Sequence, residues 1–404
     1  MRHIVPLLRG FRLLPLMGAA MLLTGCNNAL ALLLEGQGTY HNTAAVADLN
    51  RDNHPDLFLH NLRKEAEFTP FSVATLWLDQ GDGRFAATRM QEANGLPGLA
   101  AAVAEINQDG VPDLLIYTGH TLKVLLNQPE QPGQFDGGAI IDAPHKGDQY
   151  ATLVHGDLNG DGWMDGIVAG CCGRLFTVDA ADYRPNFSWV WYSRPDEGGY
   201  GFSVHTAPLP ALEGFSVRDA ALGDIDNDDD LDLLAIVDAP GGSGDTRGRL
   251  LLNDGAGAFA DSGQQFDSAG GATVALGDID NDGVLDALFG ATPWLNQAGG
   301  WVQASQPLTA DPVHHAFLAD FDGDGDQDAL LGGARQATLW RNDGQGLFTA
   351  GEQRFSYSRR HALAIGDLDE GGLPDIIAAA YTDDYRIWYN QGDGAFSTLS
   401  ATAK

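Results

Sequence analysis

The sequence predicts an all-β fold, a seven-bladed β-propeller of four-stranded antiparallel blades with a cation-binding loop in each repeat. Three observations carry that expectation. An acidic segment recurs seven times at intervals of 42 to 67 residues, the period of a propeller blade rather than of a short solenoid turn. A second element follows every acidic copy: a short apolar run, a Gly/Asn/Asp turn and then an aromatic residue in most copies, the pattern of a hairpin. No long amphipathic helical period appears after residue 30.

The acidic copies are ADLNRDNHPD at 47–56, AEINQDGVPD at 104–113, GDLNGDGWMD at 156–165 and GDIDNDDDLD at 223–232. GDIDNDGVLD at 277–286, ADFDGDGDQD at 319–328 and GDLDEGGLPD at 366–375 complete the set. They are loops 1 to 7 below, and position one of each is its second letter. Most copies place a carboxylate or amide oxygen at positions 1, 3, 5 and 9. Hard oxygens in that number suit Ca²⁺, which takes six to eight of them. Position 6 holds Asn53, Gly110, Gly162, Asp229, Gly283, Gly325 and Gly372. All of these tolerate the left-handed backbone that a loop wrapped round an ion requires. The helix-flanked EF-hand is excluded for loops 3 to 6, because position 12 is Val168, Ala235, Phe289 and Leu331 instead of Glu.

In the first repeat, a small apolar strand at Thr43–Ala47 leads into the loop and Leu57–His60 leads out. Thr75–Leu78, a GDG turn and Phe85–Met90 follow. That is a four-stranded meander. It cannot bury both faces alone, but seven copies round an axis can. Ala and Gly dominate the expected inner strands, at Ala44–Ala47, Ala220–Gly223 and Ala362–Gly366, as a crowded axis demands. The 52 glycines suit a chain of many tight turns. Trp77, Trp294, Trp340 and Trp388 recur on the third strand and are read as blade-packing residues.

The pairing of a GDxDxDGxxD loop with a downstream NxGxGxF turn resembles the FG-GAP/VCBS repeat proteins, including integrin α-subunit-like propellers. The resemblance covers about 40–404. It implies that each loop joins the first two strands of a blade and holds Ca²⁺. Carried over position by position, loop 1 offers Asp48, Asn50, Asp52 and Asp56, and loop 2 offers Glu105, Asn107, Asp109 and Asp113. Loop 3 offers Asp157, Asn159, Asp161 and Asp165; loop 4 offers Asp224, Asp226, Asp228 and Asp232. In loop 5 the set is Asp278, Asp280, Asp282 and Asp286, and in loop 6 it is Asp320, Asp322, Asp324 and Asp328. Loop 7 keeps only Asp367, Asp369 and Asp375, with Gly371 at position 5. Loop 1 carries Arg51 and His54 inside it, and loop 2 starts with the longer Glu105.

The formal net charge is −32, and the seven loops hold 28 of the 55 acidic residues. The excess sits where cations would neutralise it, so metal binding and folding are expected to be coupled. No basic stripe exists and Lys occurs only at positions 64, 123, 146 and 404, which argues against nucleic acid.

Arg2, Arg9 and Arg12 followed by the apolar Leu13–Leu23 read as a bacterial export signal over 1–25. The LTGC at 23–26 resembles a lipobox. That implies lipidation of Cys26, a tether over 26–40 with a candidate ring-closing strand, and a propeller over 41–404. Asn27 implies sorting to the outer membrane. Cys171 and Cys172 are adjacent and leave three readings open: a strained vicinal disulfide, free thiols, or a redox or ligand-touching role.

On the face opposite the acidic loops, the residues before each inner strand reach the mouth of the axis. They are His41, Tyr150, Arg218, His314, His315, Arg360 and His361. An insertion at 170–188 adds the cysteine pair and Tyr183. Aromatic, Arg and His side chains round a concavity suit a glycan or protein ligand. The sequence holds no GxSxG, HExxH or phosphate-cradling loop. A non-enzymatic adhesion or envelope-binding module is therefore the favoured expectation. A polysaccharide lyase or hydrolase on that face is the alternative, and a structural scaffold is a third reading. Fold analogy does not choose among them.

Overall fold

The computed structural model describes residues 40–63, 71–80, 85–89, 100–144, 150–171, 188–194, 203–238, 246–267, 271–304, 307–309, 311–358, 361–380 and 384–402. They form seven four-stranded antiparallel sheets, each in simple meander order. The blades run over 40–89, 100–142, 150–208, 216–267, 274–303, 315–356 and 362–402. In blade 1 the strands are Tyr40–Ala47, Asp56–Arg63, Phe71–Asp79 and Phe85–Arg89, close to the expected boundaries.

Burial changes across each blade as its sequence does. Second strands such as Asp113–Tyr117 and Asp328–Gly332 are buried along their whole length and read as unbroken apolar runs after the leading Asp. Neighbouring blades cover both of their faces, so alternation is lost. Fourth strands such as Phe259–Asp267 and Thr349–Ser356 are polar and largely exposed, because they form the outer rim. First strands line the axis, and Ala100–Ala104 is buried throughout.

The hydrophobic core is divided among the junctions. Each of the seven clusters among the described residues lies between two consecutive blades. The last joins Ala44, Leu57, Leu59 and Trp77 of blade 1 to Ala362, Leu368, Ile377 and Tyr385 of blade 7. Each blade takes its four strands from one continuous stretch, so side-chain packing closes the ring. Trp77 meets Tyr385 edge-to-face at 4.8 Å across that seam. Trp388 packs on Phe355 of blade 6, and Trp294 on Phe266 of blade 4, as expected of blade-packing residues. The candidate ring-closing strand falls at 26–40, of which only Tyr40 is described, in the first strand of blade 1. Among the described residues the one helical element is the turn Pro210–Leu212, and no helix is long and apolar enough to cross a membrane.

Candidate metal centres on the loop face

Each acidic loop joins the first and second strands of its blade, and each Gly-rich turn joins the third and fourth, so both sit on one face. Two backbone positions curl every loop. Position 6 has positive φ in all seven, from 67° at Asn53 to 95° at Gly325, as its residue types foretold. Position 4 is left-handed as well, at Arg51, Gln108, Gly160, Asn227, Asn281, Gly323 and Glu370.

The curl brings backbone N–H groups onto the position-one carboxylate. Asp157 accepts from Asp161 N at 3.1 Å and from Gly162 N at 2.8 Å; Asp224 and Asp278 accept from the same two positions of their loops. Glu105 makes the equivalent pair, to Asp109 N at 3.2 Å and Gly110 N at 2.6 Å, so the longer side chain performs the same task.

Position 9 is different in kind. Asp56, Asp113, Asp165, Asp232, Asp286, Asp328 and Asp375 are all fully buried. One oxygen of each accepts the position-two N–H of its own loop at 2.8 to 3.2 Å. The other accepts the N–H at the end of the third strand at 2.6 to 2.9 Å. These carboxylates tie the loop to its sheet, and an oxygen that accepts one N–H keeps a lone pair for a cation; Asp286 Oδ2 accepts a second N–H, from Asp280 at 3.3 Å. Desolvation pushes their carboxyls up, to about 7 for Asp56, Asp113, Asp165 and Asp328 and to about 6 for Asp286 and Asp375. Neighbouring loop carboxylates push in the same direction.

In loops 4 to 7 three carboxylate oxygens converge to within 4.8 Å of one another. The trios are Asp224/Asp226/Asp232, Asp278/Asp280/Asp282, Asp320/Asp322/Asp328 and Asp367/Asp369/Asp375. Asp228, Asp286 and Asp324 stand outside these trios. Loop 7 assembles its three carboxylates despite Gly371 at position 5, whose N–H donates to Asp369. Buried carboxylate oxygens that no donor reaches remain on Asp280, Asp322 and Asp367. The other oxygen of Asp322 faces Arg341 Nε at 3.6 Å. A buried carboxylate oxygen without a donor is costly, and a hard divalent cation is a partner that such an oxygen set fits. Loops 1 and 2 relieve their charge internally. Asn50 and Asn107 donate their amide N–H to Asp52 and Asp109 at 2.9 Å. Arg51 also reaches across to the backbone oxygens of Asp109 and Gly110.

The sequence reading missed one set of residues. The Asn that opens the Gly-rich turn donates its side-chain N–H to the position-two carbonyl of the preceding blade. Asn127 bonds Leu49 O, Asn253 bonds Leu158 O, Asn296 bonds Ile225 O, Asn342 bonds Ile279 O and Asn390 bonds Phe321 O, at 2.7 to 2.8 Å. Blades 3 and 1 carry Ser193 and Asp79 at this place. The Ser193 hydroxyl donates to Met164 O within its own blade, and a carboxylate has no N–H to offer. Exposed loop-to-loop contacts bridge those two junctions instead: Gln108 to Gly162 O at 2.7 Å, and His54 to Glu370 at 2.7 Å.

The other candidate residues belong to the opposite face. Arg218 is clamped by Asp238 through two contacts at 2.8 Å. Asp219 is buried, accepts Val274 N from the next blade at 3.0 Å, and is pushed up to about 7 by burial. His315 opens the first strand of blade 6; desolvation, then His314, pushes it down to about 3. His361 is buried with Nδ1 at 2.6 Å from Ser358 Oγ. His41 and Tyr150 lie on first strands, where their backbones pair with Leu62 and Cys171. Arg360, Cys26, Cys172 and Tyr183 lie outside the described residues.

Seven meander blades with an acidic loop at the same corner of each define a repeat propeller with one oxygen-rich face. A family model described as FG-GAP-like repeat matches residues 105–168, 224–289 and 320–378. The protein is an FG-GAP repeat propeller. Among solved structures it is similar to an Agrocybe aegerita lectin that recognises non-reducing terminal N-acetylglucosamine. That match has 16% identity and a TM-score of 0.39, and covers 90% of this chain and 80% of the other. The Vibrio cholerae biofilm matrix protein Bap1 matches at 10% identity and TM-score 0.35, covering 91% and 81%. The Photorhabdus luminescens Tc holotoxin pore matches at 15% identity and TM-score 0.36, over 88% of this chain and 18% of that one.

Proposed function

We propose that the protein is an exported, lipid-anchored propeller that uses calcium to hold its loop face rigid and binds a glycan or protein ligand without transforming it. The observation that carries the calcium part is the set of buried carboxylate oxygens on Asp280, Asp322 and Asp367 that no donor reaches. Each belongs to one of the four carboxylate trios. Calcium, when bound, would supply positive charge to these oxygens, adding at Asp322 to that of Arg341 at 3.6 Å. This chain's own residues do the rest: position 1 organises the loop backbone, position 9 fastens the loop to its sheet, and positive φ at positions 4 and 6 wraps it. Bound calcium would stiffen the scaffold from which the opposite face presents its connections, and loops held by a rigid scaffold are where binding residues gather. The clamped Arg218 and the neutral His315 favour a binding surface there over an acid–base site. Export and the anchor follow from Arg2 to Cys26, and the outer membrane from Asn27.

A glycan array and an envelope-extract pull-down, each run with calcium and with EGTA, test the ligand reading. Calcium-dependent capture of a defined glycan or protein supports it. Release of unsaturated or shortened sugars from a bound polysaccharide would replace it with the lyase or hydrolase reading. Labelled palmitate incorporated by the wild type and lost in Cys26→Ser tests the anchor.

A further inference from the structure

The hooks formed by Asn253, Asn296, Asn342 and Asn390 run without a break from loop 3 to loop 7. Each begins between two candidate ligands. Ile225 lies between Asp224 and Asp226, Ile279 between Asp278 and Asp280, and Phe321 between Asp320 and Asp322. The carbonyl of that residue receives the hook, at 2.8 Å from Asn296, 2.7 Å from Asn342 and 2.8 Å from Asn390. Its N–H meanwhile holds the position-nine carboxylate of its own loop. The backbone N–H of the hooking Asn holds the position-nine carboxylate of the next loop, Asp286, Asp328 or Asp375. A short chain of hydrogen bonds, part-buried at Asn296 and buried at Asn342 and Asn390, thus joins each candidate cation site to the next.

We propose that loops 3 to 7 take up calcium cooperatively and that these asparagines carry the coupling. The proposal rests on the calcium reading above. Without an ion, the like-charged carboxylates of a loop repel and the loop opens; with one, positions 1 and 3 close on it and fix the carbonyl between them. A fixed carbonyl fixes the Asn, and with it a ligand of the adjacent loop. The second ion therefore meets a loop whose ordering cost has already been met. The bistable element is the loop, open or closed, and both neighbouring sites bias it. Ser193 and Asp79 end the run on either side. The Gln108 and His54 contacts at those junctions are exposed, and exposed contacts of this kind couple weakly.

The test uses the full chain and calcium itself, with bound ions counted by native mass spectrometry during a chelator titration. Asp280→Asn damages loop 5 and leaves every hook in place. Asn342→Ser cuts the hook between loops 5 and 6, and blade 3 already builds the same strand end with Ser193. Coupled loops give the wild type a Hill coefficient above about 2. Asp280→Asn then weakens a neighbouring loop by about 5-fold or more and removes more than one ion at half-saturation. Asn342→Ser lowers the Hill coefficient and reduces the effect of Asp280→Asn on loop 6. Wild-type protein that binds several ions with a Hill coefficient of about 1, and loses at most one ion in Asp280→Asn, overturns the coupling and leaves the calcium reading standing. Wild-type protein that binds no calcium overturns both.

Discussion

Removal of a single hook should cost far more than removal of the side chain at the same place in an unhooked blade. Asn390 donates to Phe321 O at 2.8 Å and to Pro374 O at 3.1 Å, and accepts from Gly392 N at 3.1 Å. It is 7% exposed, so water does not readily replace these bonds. At about 1 kcal/mol for each bond, plus about 1–3 kcal/mol more for a buried carbonyl left without a donor, Asn390→Ala should lose about 4–6 kcal/mol. Ser193 makes one side-chain bond, to Met164 O at 2.6 Å, and Ser193→Ala should lose about 1 kcal/mol. Guanidinium unfolding at saturating calcium measures both variants on the same baseline. Equal losses, or a loss below about 1 kcal/mol for Asn390→Ala, would refute the assignment of the hook as a blade-to-blade fastening.

Two other perturbations follow from the same structure. In calcium-free protein six of the position-nine carboxyls are held up at about 6 to 7, and Asp232 is pushed in the same direction, so the folded state binds more protons between pH 4 and pH 7. Stability of the ion-free protein should therefore be greatest below pH 4 as far as these groups are concerned, and be lost as pH rises to 7. Calcium should reverse that slope and release protons on binding, which urea melts across this range and a pH-stat titration would show. Gly248→Ala places a methyl group where its carbon would lie 2.3 Å from Cε1 of Phe289, a ring stacked on Phe266 at 4.6 Å. Overpacking of that junction between blades 4 and 5 should cost about 1–3 kcal/mol, and an unchanged thermal midpoint would show that the blades can slide apart there.

Much of this architecture was legible because it repeats. Seven acidic loops and seven Gly-rich turns gave the blade order, and Asn or Gly at position 6 marked the left-handed turn that φ values of 67° at Asn53 and 87° at Gly283 bear out. Position 4 was not legible, since Arg51, Gln108 and Glu370 are not residues that favour positive φ; the closure of the loop imposes it on them. The hook was hidden for another reason. Asn253 and Asn342 look like ordinary turn residues, and their side-chain oxygens do accept turn N–H groups from Gly257 and Gly346. Their amide nitrogens act across 95 and 63 residues of sequence, where no local pattern points. Recurrence of Asn in five of the seven turns was the available signal. The fate of position 9 was likewise partly visible: the apolar run after Asp113 or Asp232 signals a buried strand, but not that both carboxylate oxygens would be spent on backbone N–H groups.

The calcium content of the purified protein, measured with its thermal unfolding before and after EGTA, tests most directly whether the loops are metal sites. The protein should hold at least four calcium ions, one for each carboxylate trio, and melt at a much lower temperature after chelation. No bound calcium and an unchanged melting temperature would mean that the acidic loops are turns held by their own backbone N–H groups, and would contradict the calcium propeller.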